Sequence, residues 1–156
     1  MGQVTDPSVR NIVFTVRKQF IGVWRLVSCT RKKEDGTVDQ PFGDNPVGRI
    51  TYDSSGRMSA QLMAQGRPSS IGPGMNLSTT SDEEIRMAVA GYAAYFGTFD
   101  IDEPEQTVIH HVEAALVPSW VGTDLRRRYK FFDNRLALTA ALPGSVAELI
   151  WERESD

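Results

Sequence analysis

From Gly22 onward, the sequence alternates short segments rich in Val, Ile, Thr, Tyr and Phe with clusters of Asp, Asn, Gly, Ser and Pro. The segments favour β-strands and the clusters favour tight turns, so the pattern is typical of successive β-hairpins. We predict nine strands, at residues 23–32, 37–42, 47–52, 57–63, 95–101, 107–116, 123–132, 135–141 and 146–153. Antiparallel strands in this number either stack as two sheets or close into a barrel, which removes exposed edges. The strand pattern alone leaves that choice open.

Two segments predict helices. Residues 5–21 have Asp6 as a cap, Pro7 at the first helical position and apolar residues at helical spacing. After a loop at 64–80, whose glycines and prolines exclude regular structure, the sequence 81–84 is a capping box. The apolar stripe of this second helix continues through Ile85, Ala88, Val89, Tyr92 and Phe96. We therefore expect one domain over residues 1–156, with an N-terminal helix over 1–21, a barrel over 22–156 and one helix inserted mid-chain.

Composition limits the partners and the compartment. The formal net charge is −3 and the pI is near 5.4, so no broad positive field attracts nucleic acid or an anionic membrane. Cys29 is the only cysteine, which excludes an internal disulfide and argues against a cross-linked extracellular scaffold. The first residues lack the pattern of a signal peptide, and no apolar run approaches the ~18 residues of a membrane span. We expect a cytoplasmic protein, and the sequence leaves its oligomeric state open.

Several motifs together resemble the lipocalin-like domain family of bacteria and fungi. The sequence Gly22-Val23-Trp24 is similar to the G-x-W motif that begins the first strand of lipocalin barrels. Further similar segments lie at residues 25–28, 46–52, 58–63, 95–99, 110–113 and 120–124. The resemblance implies a closed antiparallel calycin-type β-barrel of eight or nine strands, with an interior pocket for a small apolar or mixed-polarity organic molecule. It also implies that Arg153 packs over Trp24 and closes the barrel base, a cation–π contact of about 0.5–2 kcal/mol.

Strand alternation then suggests which side chains line the pocket. If Trp24 points inward, Leu26, Ser28 and Thr30 follow on the same face, and Ile50 and Tyr52 come next. The strand at 57–63 presents inward either Met58, Ala60 and Leu62 or Ser59, Gln61 and Met63. The candidate ligand-binding residues are Tyr52, Gln61, Tyr92, Tyr95, Phe99, Trp120 and Arg126. Plain core packing explains each aromatic residue equally well.

The segment 107–116 contains both histidines of the chain. In a strand, His111 and Glu113 share one face and His110 shares the other with the valines. The valine pattern alone leaves His111 and Glu113 in water, whereas the resemblance to ligand-binding barrels favours His111 toward the cavity. Facing inward, His111 and Glu113 are a candidate catalytic acid–base pair. A structural or surface pair is the alternative.

Three functions remain possible at this point. The leading hypothesis is a binding protein for a small organic molecule. The alternative is a cofactor-independent enzyme of natural-product biosynthesis (a cyclase, isomerase or epoxide-opening hydrolase) that uses His111 and Glu113, with Tyr52 or Arg126 as polar anchors. The third is an interaction protein whose barrel is filled by side chains. We expect no cofactor and no metal, because nucleotide-binding motifs are absent and two histidines are too few for a three-histidine zinc site.

Overall fold

The computed structural model describes residues 16–67 and 77–155. Within these residues the strands are β1 (Gly22–Lys33), β2 (Val38–Asp39), β3 (Val47–Tyr52), β4 (Arg57–Met63), β5 (Tyr92–Asp102), β6 (Thr107–Ala115), β7 (Asp124–Phe132), β8 (Arg135–Leu142) and β9 (Ser145–Arg153). Residues 16–20 are helical and are called α1, α2 is Asp82–Ala90, and a 3-10 turn spans Pro118–Trp120. The strands lie where the sequence predicts them, except that the segment 37–42 forms only a two-residue strand.

Strands β1 and β3 to β9 form a closed antiparallel barrel. Each strand from β3 to β9 pairs with the next, β3 pairs with β1, and β9 pairs back with β1. The closing pairs run from Trp24 opposite Arg153 to Lys33 opposite Ser145. The short strand β2 lies beside β1 as an additional strand. The predicted closed barrel is therefore confirmed, and the two stacked sheets are excluded.

One end of the barrel, here called the base, is filled by aromatic side chains. Phe20, the last residue of α1, is fully buried there. Its ring makes edge contacts with Tyr52, Tyr129 and Phe131, at centroid distances of 5.2, 5.1 and 4.9 Å. The backbone carbonyl of Phe20 accepts a hydrogen bond of 2.8 Å from the indole Nε1 of Trp24. These contacts fix the end of α1 against the first strand.

Arg153 completes the base from the other end of the chain. Its guanidinium lies 4.1 Å from the centroid of the Trp24 ring, which is the contact that the family resemblance implies. It also donates a 2.7 Å hydrogen bond to the carbonyl of Ile21 and a second hydrogen bond to the carbonyl of Gln19. The last strand is thus tied both to α1 and to Ile21, which links α1 to β1.

A β-bulge changes the inner face of β1. The register of β1 against β9 shifts between Leu26 and Ser28, so the alternation of side chains is interrupted there. Cys29 is buried and lines the barrel interior, and Arg31 follows it on that face. The expectation that Ser28 and Thr30 continue the inner face is therefore wrong. On β4 the inner set is Met58, Ala60 and Leu62, one of the two sets predicted.

Helix α2 begins at its predicted cap but is shorter than the predicted apolar stripe. Ser81 caps α2 through the predicted capping box with Glu84, and the helix ends at Gly91. Tyr92 and Phe96 belong to β5, so the apolar stripe assigned to the helix ends earlier than expected. Most of the helix predicted over 5–21 lies outside the described residues. Among the described helices, none is long and apolar enough to cross a membrane.

Candidate functional site

A cavity of about 200 Å³ lies inside the barrel at the end away from the base. Strands β8 and β9 form an apolar wall, and the segment after β2 contributes Pro41 and Phe42. The polar groups come from three other strands: Cys29 and Arg31 on β1, Tyr95 on β5 and Arg127 on β7. The interior therefore combines a largely apolar wall with a small set of polar side chains, as small-molecule sites do.

His110 is fully buried next to the cavity-lining residue Tyr95. This place is called here the polar end of the cavity. The Nε2 of His110 is 2.8 Å from the hydroxyl oxygen of Tyr52, and its Nδ1 is 2.9 Å from the hydroxyl oxygen of Tyr95. Burial, assisted by the positive charge of Arg127 and by His111, lowers the pKa of His110 to about 3. The imidazole is therefore neutral near pH 7, with one nitrogen that donates and one that accepts.

The hydrogen-bond partners of Tyr52 indicate which nitrogen of His110 carries the imidazole proton. Tyr52 is 1% exposed, and within the described residues its hydroxyl contacts no partner other than His110. If Nε2 carried the proton, the Tyr52 O–H would be buried without an acceptor, at a cost of about 1–3 kcal/mol. We therefore assign the proton to Nδ1, which donates to Tyr95, while Tyr52 donates to Nε2. The hydroxyl hydrogen of Tyr95 is then left without an acceptor among the described residues, and this partly buried residue lines the cavity.

The other titratable groups of the interior are also neutral near pH 7. Burial raises the pKa of Tyr95, and it raises the pKa of Tyr52 well above its ordinary value. Burial likewise raises the pKa of the Cys29 thiol to about 11. Charge in the cavity wall therefore resides on its two arginines.

The two arginines differ in their partners. Arg31 donates two hydrogen bonds, of 2.9 and 2.6 Å, to the carboxylate of Asp39. The same carboxylate forms an ion pair with Lys33, whose Nζ lies 3.3 Å from it. Arg127 faces inward by the alternation of β7. Its Nη1 donates a hydrogen bond of 3.0 Å to the backbone carbonyl of Arg126. No carboxylate lies within ion-pair distance of Arg127 in the described part of the chain. The cavity thus has one cation with a counter-ion and one without.

Two tryptophans complete the wall. Trp120 packs edge-on against Tyr95, with ring centroids 5.8 Å apart. Trp151 is 1% exposed and lines the cavity, and its indole Nε1 has no hydrogen-bond partner among the residues that are described. A buried N–H without an acceptor is uncommon in native proteins, and this nitrogen has less than 1 Å² of accessible surface, so it does not open onto the cavity.

Of the predicted ligand-binding residues, Tyr95 and Trp120 line the cavity and Tyr52 supports its polar end through His110. Phe99 is buried nearer the base, where its ring lies 4.8 Å from that of Tyr52. Two of these four residues thus line the cavity, and the other two are buried in the barrel without lining it.

The other three predicted residues lie outside the cavity. Gln61 and Tyr92 line a groove on the outer surface. Gln61 faces outward because it alternates with the buried residues of β4. Arg126 is exposed, and its neighbour Arg127 takes the inward position. In β7 the inner face also has Leu125, Tyr129 and Phe131, so the apolar alternation of this segment contained the signal for Arg127.

The expectation that His111 and Glu113 face the cavity is wrong. His111 is partly exposed, with its Nδ1 2.6 Å from Asp124 and its Nε2 2.9 Å from Asp100. The hydrogen bond to Asp124, followed by that to Asp100, raises the pKa of His111. Glu113 is exposed on the same outer face. Val108 and Val112 set the inner face of β6 and bring His110 inward with them, so the proposed acid–base pair has no access to the cavity.

Comparison with known proteins agrees with this architecture. Residues 21–154 match a family described as a lipocalin-like domain. The chain belongs to the lipocalin-like domain family. Over 92 residues it is 34% identical to the 4'-hydroxy-3'-methoxypropiophenone carrier protein ppsC of Aspergillus oryzae, an alignment that covers 55% of this chain and 81% of that protein.

Two solved structures are similar to this lipocalin-like protein at low sequence identity. A lipocalin-like protein from Bacteroides uniformis has a TM-score of 0.46 and 11% identity, over 87% of this chain and 99% of that one. A point mutant of the fluorescent protein UnaG has a TM-score of 0.41 and 13% identity, over 89% of this chain and 99% of that one.

Proposed function

We propose that this lipocalin-like protein binds one small aromatic molecule in its barrel cavity and acts as its carrier. The supporting observation is the cavity itself, of about 200 Å³, in a barrel whose other end is filled by side chains. An apolar cavity of about 150 Å³ accommodates benzene, so this volume suits one ring with short substituents. Trp120, Trp151 and Tyr95 offer aromatic surfaces to such a ring.

The Aspergillus relative supports the choice of ligand class. Its name describes a carrier of a single-ring compound with a hydroxyl, a methoxy and an acyl group. We propose the same chemical class, an acyl phenol, for this protein, and with it a place beside natural-product biosynthesis. The apolar wall of β8 and β9 suits the ring and its alkyl group, and the polar side chains suit its oxygen atoms.

Calorimetric titration with 4'-hydroxy-3'-methoxypropiophenone, called the probe ketone below, tests the proposal. We expect saturable binding of one molecule per chain, with quenching of tryptophan fluorescence because two of the three tryptophans line the cavity. Ala140 is buried in the wall, so Ala140→Phe fills the cavity and should weaken binding at least about tenfold. Ala141 is exposed beside it, so Ala141→Phe is the matched control and should bind normally. Binding that is absent, or equal in the two variants, refutes the proposal.

A further inference from the structure

The polar groups of the cavity wall are mainly hydrogen-bond donors. The assigned tautomer of His110 leaves the hydroxyl hydrogen of Tyr95, a cavity-lining residue, without an acceptor among the described residues. The guanidinium of Arg127 adds further donors, since arginine has no acceptor. No aspartate or glutamate is among the cavity-lining residues that the structure describes. The wall therefore fits a ligand whose oxygen atoms accept hydrogen bonds.

The charge of the wall favours an anion. Among the described residues, the titratable or charged groups that face the cavity or its polar end are Cys29 and Arg31 on β1, Tyr52 on β3, Tyr95 on β5, His110 on β6 and Arg127 on β7. Cys29, both tyrosines and His110 are neutral near pH 7. Asp39 balances Arg31, with Lys33 on the same carboxylate. Arg127 remains as a positive charge without a counter-ion in the described residues.

We infer that the cavity selects the anionic form of its ligand and holds an acyl phenol as the phenolate, with the negative oxygen paired to Arg127. This inference rests on the proposed function and names the ionisation state that the site binds. The remaining oxygen atoms include an acceptor for the hydroxyl hydrogen of Tyr95. The phenolate is chemically accessible, because an acyl group in the para position withdraws electron density from the phenol oxygen and makes it a stronger acid than tyrosine.

The balance of burial and pairing distinguishes the two forms of the ligand. Burying an anion is costly unless a cation and hydrogen-bond donors replace its water, and Arg127 with the donor set provides both. A neutral phenol would leave Arg127 without a counter-ion, and the phenol O–H would have no carboxylate to donate to among the cavity-lining residues that are described. The wild-type protein should therefore bind the phenolate at least about tenfold more tightly than the phenol, which lowers the ionisation midpoint of the bound ligand by about one pH unit.

Ultraviolet absorbance measures this midpoint directly, since a phenolate absorbs at longer wavelength than its phenol. The probe ketone is titrated with base, alone and with saturating protein. Arg127→Gln should abolish the shift in midpoint, while the variant still binds the probe ketone in its un-ionised phenol form. Arg127→Lys should restore part of the shift. Arg126→Gln removes the adjacent, outward-facing arginine and should retain the full shift. The methyl ether of the probe ketone cannot ionise, so its affinity should not change with pH and should stay about tenfold or more below that of the phenolate.

The outcomes separate the two proposals. Calorimetric binding with an unchanged or raised midpoint in the wild-type protein overturns the inference and leaves the carrier function standing. An equal shift in Arg127→Gln and Arg126→Gln overturns it as well. Absence of binding at every pH overturns the carrier function together with the inference.

Discussion

At the scale of single residues, the adjacent histidines show how one step along a strand changes chemistry. His110 is fully buried between two tyrosine hydroxyls, whereas His111 lies outside between Asp100 and Asp124. Consecutive side chains of a strand point to opposite faces, so the buried valines of β6 decide which histidine is neutral and which is ion-paired. The valine pattern in the sequence was a better guide to this face than the family resemblance.

The pH dependence of stability should reveal the buried histidine. The folded pKa of His110, about 3, is below its value of 6.5 in the unfolded chain, so its contribution to stability is complete above pH 6.5 and is lost as the pH falls toward 3. The slope is about 1.4 kcal/mol per pH unit, or about 2 kcal/mol between pH 6.5 and pH 5. Urea unfolding of wild type and His110→Gln at these two values should show that this loss disappears in the variant.

His111 is the matched control for this experiment. Its folded pKa is raised, so its contribution is present below pH 6.5 and is lost as the pH rises through the folded value. His111→Gln should therefore retain the loss of stability at pH 5 that His110→Gln abolishes. Equal pH slopes in wild type and His110→Gln would show that His110 is not buried in its neutral form.

At the scale of strands and helices, the sequence predicted where elements lie better than which way they face. The bounds of β3 and β4 were predicted as observed, since alternating apolar residues between clear turn signals define both strands. The predicted inner face of β1 was wrong after Leu26, because the bulge at Val27 and Ser28 has no marker in the sequence. The site depends on such faces, so Cys29, Arg31 and Trp151 were missed as cavity residues, whereas Tyr95 and Trp120 were found.

The close approach of β5 to β6 gives a test at this scale. A Cβ atom at Gly97 would lie 1.8 Å from the carbonyl oxygen of His111, so Gly97→Ala forces the two strands apart where their register shifts. We expect a loss of at least about 3 kcal/mol in the free energy of unfolding. Gly144→Ala is the control, because this glycine has φ +73° but no atom within 4 Å of a Cβ, and backbone strain alone costs about 1 kcal/mol. Similar losses in the two variants would contradict the close approach.

At the scale of the whole molecule, the barrel divides stability and binding between its two ends. The base joins residues far apart in sequence, with Arg153 packed on Trp24 and hydrogen-bonded to carbonyls of Gln19 in α1 and of Ile21 just after it. The cavity lies at the other end and is lined by different side chains. Long-range closure of this kind follows from the G-x-W motif and the arginine near the chain end, which is why the family resemblance predicted the base more reliably than the cavity.

This division predicts that stability and affinity respond to different substitutions. Arg153→Met retains an unbranched side chain but removes the cation–π contact with Trp24 and both hydrogen bonds to backbone carbonyls, so the free energy of unfolding should fall by about 2–3 kcal/mol. The affinity of the folded variant for the probe ketone should remain within about twofold of wild type, because the base contributes no group to the cavity. Arg127→Gln should show the reverse: it removes a partly buried cation from the cavity wall without breaking an ion pair among the described residues, so affinity for the ionised probe ketone should fall at least about tenfold while the loss of stability stays small. Urea unfolding without ligand, paired with calorimetry well below the unfolding midpoint, separates the two quantities. If Arg153→Met weakens binding as strongly as Arg127→Gln, the two ends are coupled through the barrel, and closure of the base is itself part of the ligand site.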